Sequence, residues 1–180
     1  MSFLSTTITQ FKHYKDLAEK AMAQLDDTSL LHEVEGADNS LTVIVKHLNG
    51  NMLSRWTNFL SEDGEKPWRR RDEEFEHSAL TRNQLMELWE EGWQCMFSTL
   101  ESLSDSELGQ TVHIRGEASS AMDAIIRQLM HYSYHIGQII LLCKQQAGDT
   151  WQSLSIPRGG SAAYNATLFG KTGDDPEKTV

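Results

Sequence analysis

Apolar residues recur at helical spacing in four segments of the chain, covering roughly residues 2–25, 40–60, 81–103 and 120–146. Residues that favour helix starts precede the second segment, namely Asp38, Asn39 and Ser40. Thr81 and Gln84 form the sequence pattern of a capping box before the third segment. Gly148 is expected to end the fourth. The pattern predicts an all-α fold, a four-helix bundle with connections of mixed length.

The connections differ in character. Residues 61–80 are the longest and carry a dense mixture of charges, so we expect a functional role rather than a simple turn. Residues 105–119 are polar and are expected to be extended around 111–114. The tail beyond residue 149 holds large apolar groups, part of which should pack on the bundle: Trp151, Leu154, Ile156 and Phe169. Residues 1–170 are predicted to form one domain, followed by a disordered end at 171–180.

Composition narrows the possible partners. The 180 residues are 39% hydrophobic and 23% charged, as in ordinary globular domains, and the net charge is -10. So acidic a surface repels phosphate backbones, which argues against nucleic acid as a partner. No apolar stretch has the length of a membrane span, and the N-terminus lacks the apolar core of a signal peptide. The two cysteines, Cys95 and Cys143, form no CxxC pair. We therefore expect a cytoplasmic protein.

Three of the seven histidines suggest a metal site. His131 and His135 are four residues apart, so a helix places both on one face, where two imidazoles can bind one ion at about 2.0–2.1 Å. His47 borders the apolar face of the second segment and is the best candidate for a third ligand. The alternative is that these are core histidines with ordinary hydrogen bonds, because seven histidines produce such spacing by chance in many chains.

The pattern excludes two common metal chemistries. A metalloprotease motif needs a glutamate after the first histidine, where this chain has Tyr132. A di-iron bundle needs two Glu-x-x-His pairs, and the one such pair, Glu74 with His77, lies in a connection. A mononuclear site of three histidines and no cysteine leaves positions open to water or substrate. Imidazole ligands suit Zn, Ni, Fe and Cu and do not by themselves select one of them. We expect one divalent ion, with Zn or Ni ahead of Fe.

Several polar residues could line such a site. Asn51 and Arg55 lie four and eight residues beyond His47, and Arg55 could bind a substrate carboxylate or form a surface ion pair. Tyr134 is next to a predicted ligand and is either a substrate contact or a core group. Gln138 is either a hydrogen-bond partner of His135 or solvated. The Arg69–Arg71 cluster precedes three acidic residues and is expected to be a solvated loop.

At these residues the sequence resembles the DinB-like superfamily, and more specifically its DUF1572 family of small bacterial proteins. Three segments carry the resemblance: KHLNGNMLSRWTNFLSEDGEKPWRRRDEEFE, HIRGEASSAMDAIIRQLMHYSYHIGQIILL and WQSLSIPRGGSAAYN. The resemblance implies an up-down-down-up bundle, a homodimer, and a metal ion held between helices by His47, His131 and His135. Relatives in the superfamily include S-transferases and isomerases that use small thiols such as bacillithiol or mycothiol.

Three functional hypotheses follow. The first is a metal-dependent enzyme acting on small molecules, of the thiol S-transferase type or a related hydrolase, for which the sequence indicates no catalytic residue. The second is a stress-related protein that binds a metal or ligand without catalysis. The third is a structural dimer module with core histidines. Fold alone does not choose among them.

Overall fold

In a computed structural model that describes residues 2–32 and 39–169, the chain is mostly helical. The α-helices are α1 (Phe3–Met22), α2 (Asp27–Leu30), α3 (Leu41–Trp56), α4 (Arg82–Ser102), α5 (Ala121–Ala147) and α6 (Ser161–Phe169). All four predicted segments contain a long helix, but α1 and α3 end earlier than expected. Helix α3 stops at Trp56 because Thr57 is extended and Asn58 adopts a positive φ of 51°.

Local hydrogen bonds explain where the helices begin. The Ser40 hydroxyl accepts a hydrogen bond from the backbone N–H of Val43 at 3.2 Å, so Ser40 is the N-cap of α3. The predicted capping box of α4 is confirmed: Thr81 Oγ1 accepts from the Gln84 N–H, and Gln84 Oε1 accepts from the Thr81 N–H. Asp38 lies outside the described residues.

A two-stranded antiparallel hairpin qualifies the all-α prediction. Strand β1 (Thr111–Ile114) pairs with β2 (Glu117–Ser120), in the register that sets Ile114 opposite Glu117. The turn residues Arg115 and Gly116 have φ of 56° and 78°, the two positive values that a type I′ hairpin turn requires. The expected extension of residues 111–114 is confirmed, and a strand partner follows it directly.

The four long helices share an aromatic core. Helix α1 packs on α4 and α5, and α3 packs on the same two helices. Tyr132 is fully buried on α5, where its ring lies 5.8 Å from Phe11 and 6.0 Å from Trp93. Its hydroxyl accepts from Trp56 Nε1 and donates to Asn51 Oδ1, both at 3.0 Å. These two bonds fix α3 against α5 beside the histidines.

The long connection after α3 is ordered along α3 and the hairpin. The Asp63 carboxylate accepts from the backbone N–H groups of Arg115 and Gly116 at 2.8 and 2.7 Å. The Gly64 N–H donates to the carbonyl of His113, and the Ser54 hydroxyl donates to the Gly64 carbonyl. A short 3-10 helix, Arg71–Phe75, then packs on α3. The connection thereby brings its charged residues back to the middle of α3.

The chain beyond α5 packs only in part. Trp151 and Leu154 are half-buried against the core, whereas Ile156 is 39% and Phe169 71% exposed. The expectation that part of this tail packs on the bundle is therefore confirmed, at Trp151 and Leu154. The predicted disordered end, 171–180, lies outside the described residues. Among the helices in the described ranges, none combines the length and apolar character that a membrane crossing requires.

Candidate metal centre

The structure brings the three predicted histidines together. His47 projects from α3, while His131 and His135 lie one helical turn apart on α5. The ring centroid of His47 is 5.4 Å from that of His131 and 5.0 Å from that of His135, and the two α5 rings are 4.9 Å apart. One nitrogen from each ring lies within 4.8 Å of the others, so the three rings could hold a single ion.

Each ring is oriented through its Nδ1 atom. His47 Nδ1 donates to Glu74 Oε2 at 2.9 Å, His131 Nδ1 to Gln128 Oε1 at 3.3 Å, and His135 Nδ1 to Gln138 Oε1 at 2.7 Å. All three partners are side-chain oxygens, which accept hydrogen bonds. A neutral imidazole that donates from Nδ1 carries its lone pair on Nε2. The side-chain shell therefore fixes the tautomer in which Nε2 is the free ligand atom.

The Nε2 atoms are the ring nitrogens without a side-chain oxygen as partner. His47 Nε2 and His131 Nε2 are 3.4 Å apart. Two nitrogens bound to one tetrahedral ion at about 2.0–2.1 Å are separated by about 3.4 Å. His135 Nε2 is buried and has no hydrogen-bond partner among the described residues. Because an unpartnered buried nitrogen is costly, a cation shared by the three rings fits this arrangement.

The surroundings keep two rings uncharged. Burial, followed by the charges of His135 and His47, lowers the pKa of His131 from 6.5 to about 3. Burial, followed by the charge of His47, lowers the pKa of His135 to about 4. Both imidazoles are therefore neutral near pH 7 without a metal, which is the form that binds one.

Glu74 and Arg69 complete the support of His47. Arg69 donates to the Glu74 carboxylate from Nε at 2.8 Å and from Nη2 at 2.9 Å, while His47 donates to the same group. Burial raises the pKa of Glu74, but the hydrogen bonds from His47 and Arg69 outweigh it, so the pKa lies below its ordinary value. The 3-10 helix thus presents a carboxylate to His47, and a carboxylate is a common partner of histidines that bind metals.

The expectation for the arginine cluster was wrong at one position. Arg70 and Arg71 are exposed, as a solvated loop requires, but the Arg69 side chain is only 2% exposed. Nothing in the run of three arginines and three acidic residues distinguishes Arg69 from its neighbours. The sequence signal that did apply was the unusual length of the connection, which predicted a functional role for the segment but not for a particular residue. Gln128 also went unrecognised, whereas Gln138 takes the predicted place beside His135.

The three predicted substrate contacts line a cleft of about 1160 Å³ that opens beside His47 and His131. Asn51 is buried, and its Oδ1 accepts the Tyr132 hydroxyl. Arg55 is buried as well and donates to the Gly64 carbonyl and to Glu65, so it holds the long connection in place. Tyr134 is 56% exposed. The role of these three residues as substrate contacts stays a prediction.

Comparisons with known proteins place the chain in a family. Searches of curated proteins and of solved structures each returned no match. The sequence profile of the family described as "Protein of unknown function (DUF1572)" matches residues 1–160, most of the chain. This chain therefore belongs to the DUF1572 family.

Proposed function

We propose that the protein binds one divalent metal ion through the Nε2 atoms of His47, His131 and His135. The main support for this proposal is that the two nitrogens of each ring differ in their hydrogen bonding. Every Nδ1 is hydrogen-bonded to a side-chain oxygen, the Nε2 atoms of His47 and His131 face each other, and the three rings lie close enough to share one ion. Ordinary core histidines satisfy both nitrogens, whereas His135 Nε2 is buried without a partner in the described chain.

The donor set favours particular ions. Three imidazoles and no thiolate suit Zn, Ni, Fe and Cu, and among these we propose Zn or Ni, with Fe as the alternative. Three protein ligands leave at least one position for water or a substrate, as catalytic zinc sites do. Neutral imidazoles leave the charge of the ion uncancelled, so the centre favours an anionic ligand.

A metal-dependent enzyme acting on small molecules, of the thiol S-transferase type, is the function that we propose for this centre. A bound divalent ion lowers the pKa of a water or thiol that it coordinates. The cleft gives a small thiol access to the histidines, and Tyr134 presents a phenol there, with its ring 4.3 Å from His135. This assignment extends the resemblance to the thiol-dependent relatives and is supported by the open cleft.

A binding protein without catalysis is the alternative, and one observation favours it. The carboxylate beside the centre, Glu74, already accepts hydrogen bonds from His47 and Arg69. A carboxylate whose pKa is held below its ordinary value by such partners is a weak general base. Glu74 is therefore a positioning group, and a catalytic base has to come from another residue or from the bound anion itself.

Helix packing supports the finer fold proposal. Helices α1 and α3 each contact both α4 and α5, as in a four-helix bundle of the DinB-like, up-down-down-up type. We propose this arrangement for the long helices, with the hairpin and the long connection closing one side of the cleft.

A homodimer is also proposed, on the resemblance to the DinB-like superfamily. Light scattering of the wild-type protein should then give the mass of two chains. A wild-type mass of one chain would refute the dimer.

The metal proposal is tested by elemental analysis of protein purified without chelator or affinity tag. Wild type should carry about one ion per chain after reloading and dialysis. His47→Gln and the double variant His131→Gln/His135→Gln should retain far less. His113→Gln, which alters an exposed histidine on β1, should retain the full amount. Equal metal content in all four proteins would refute the site, provided that circular dichroism shows them folded.

The enzymatic proposal needs a separate measurement. Metal-loaded protein is incubated with a small thiol and an electrophile, and loss of free thiol is followed against the His47→Gln variant. Turnover that depends on His47 supports the S-transferase type. Full metal loading without turnover across a panel of thiols and electrophiles would favour the binding protein.

A further inference from the structure

The cleft beside the histidines is rich in arginine, although the chain as a whole is acidic. Of the eight arginines in the sequence, five line this one cleft: Arg55, Arg69, Arg71, Arg115 and Arg127. Asp123 is the one acidic side chain among the described residues that line it. A positive cleft in a protein of net charge -10 attracts anions that the rest of the surface repels.

Three of the five guanidinium groups already bind carboxylates of the protein. Arg69 is bonded to Glu74, while Arg55 and Arg115 share the carboxylate of Glu65. These pairs are structural, since they join α3, the long connection and the hairpin turn. Arg71 and Arg127 are then the two cleft-lining arginines whose guanidinium groups bind no carboxylate of the described residues.

Arg127 stands on the same face of α5 as the histidines. It lies one turn before His131 and two turns before His135, so the three side chains share a stripe of the helix. Arg127 is exposed, and no acidic side chain in the described ranges pairs with it. Asp123, one turn earlier, accepts from the Ser120 hydroxyl at 2.7 Å in the first turn of the helix.

Arg71 reaches the cleft from the other wall, on the 3-10 helix. Its guanidinium lies over the ring of Phe75, 5.0 Å from the centroid, and the Phe75 ring lies 5.3 Å from that of His47. Stacking on an aromatic ring orients a guanidinium and leaves its N–H groups free to donate. The two arginines therefore come from separate elements, each anchored beside one of the histidines.

We propose that this cleft binds a small organic anion through Arg71 and Arg127, with a carboxylate or phosphate group as the recognised part. Guanidinium groups bind either group bidentately. Ile126, Leu129 and Met130 add an apolar wall for the body of the molecule. The role of this anion as a substrate rests on the proposed function, because it would then extend toward the metal centre. Its recognition by the arginines requires no metal.

Calorimetric titration of the full chain with succinate and, separately, with phosphate tests this inference, with the neutral succinamide as a control. Metal-free and zinc-loaded protein are both used. At least one anion should bind, succinamide should not, and Arg127→Gln or Arg71→Gln should each weaken binding by about tenfold or more. Arg70→Gln is the matched control, since Arg70 is exposed, pairs with Glu73 and does not line the cleft.

The outcomes separate the two proposals. Anion binding by metal-free protein that depends on Arg71 and Arg127 supports the inference even if no metal binds at the histidines. Preference for succinate or for phosphate then identifies the carboxylate or the phosphate as the recognised group. The inference is overturned if neither anion binds, or if the double variant Arg71→Gln/Arg127→Gln binds as tightly as Arg70→Gln. A full metal site in the same preparation would leave the metal proposal intact.

Discussion

Gly50 offers a way to disturb the proposed metal centre without changing one of its three histidines. It lies on α3, three residues after His47, and faces the Glu74 side chain. A Cβ added at Gly50 would lie 2.9 Å from Glu74 Cδ and closer still to Oε1. The Glu74 carboxylate has little room to retreat, because Arg69 and His47 hold it from two directions. A Gly50→Ala substitution should therefore displace the group that orients His47.

Opposing contributions set the size of the effect. Alanine in a helix interior is favoured over glycine by about 1 kcal/mol. Separating a buried ion pair such as Arg69 with Glu74 costs about 3–5 kcal/mol when one partner is lost outright. A displaced carboxylate keeps part of that interaction, so the net loss of unfolding free energy should be at most about 4 kcal/mol. Losing the hydrogen-bond partner of a metal ligand weakens metal affinity by about 10–100-fold.

The assays are urea unfolding of the metal-free protein and competition for zinc with a chelator. Gly137→Ala is the matched control: Gly137 lies on α5 two residues after His135, and an added Cβ there meets nothing within 4 Å. We expect Gly137→Ala to stabilise by up to about 1 kcal/mol with unchanged metal affinity. Gly50→Ala should lose both stability and affinity. Identical behaviour of the two variants would refute the claim that Glu74 supports the centre.

Three further predictions address the same surroundings. Glu74→Gln should weaken zinc binding by about 10–100-fold in the chelator assay, because the neutral glutamine amide cannot replace the carboxylate that accepts hydrogen bonds from both Arg69 and His47. The control variant Glu73→Gln changes an exposed residue and should keep the wild-type affinity. Equal zinc affinities of the two variants would contradict the role of Glu74 in supporting His47. Metal-free protein should lose stability as the pH falls from about 6.5 toward 4, since the unfolded chain then protonates its histidines while His131 and His135, with pKa values of about 3 and 4, do not. By pH 5 the loss of unfolding free energy is at most about 2 kcal/mol per ring, and solvent screening reduces it. In the double variant His131→Gln/His135→Gln, the unfolding free energy measured with urea should depend less on pH. Burial raises the pKa of Cys143 to about 12, so a thiol reagent at pH 8 should label it only after unfolding; rapid labelling of native Cys143 would be inconsistent with its burial.

The long helices and the histidine cluster were accessible from the sequence because their signals are local. A helical period fixes which side chains share a face, and a capping box such as Thr81 with Gln84 acts over three residues. His131 and His135 meet through helix geometry alone. The position of His47 opposite them required one tertiary assumption, namely that its apolar face turns toward the core.

The positions of Arg69 and Glu74 beside His47 could not be predicted from the sequence, because they depend on the path of the irregular connection after α3. Arg69 and its neighbours have the same charge and similar flanking residues, and only the fold buries one of them. Glu74 lies 27 positions from His47, and no period relates the two. The hairpin partner of residues 111–114 was missed for another reason. Its turn begins with Arg115, a residue that does not usually indicate the positive φ found there.

X-ray absorption at the metal edge of the zinc- or nickel-loaded protein tests the central claim most directly. The account predicts nitrogen or oxygen neighbours at about 2.0–2.1 Å for zinc, and outer-shell scattering from three imidazole rings that falls to two in His47→Gln. A sulfur neighbour at about 2.3 Å, or a wild-type spectrum that matches the two imidazoles expected of His47→Gln, would contradict a centre built from His47, His131 and His135.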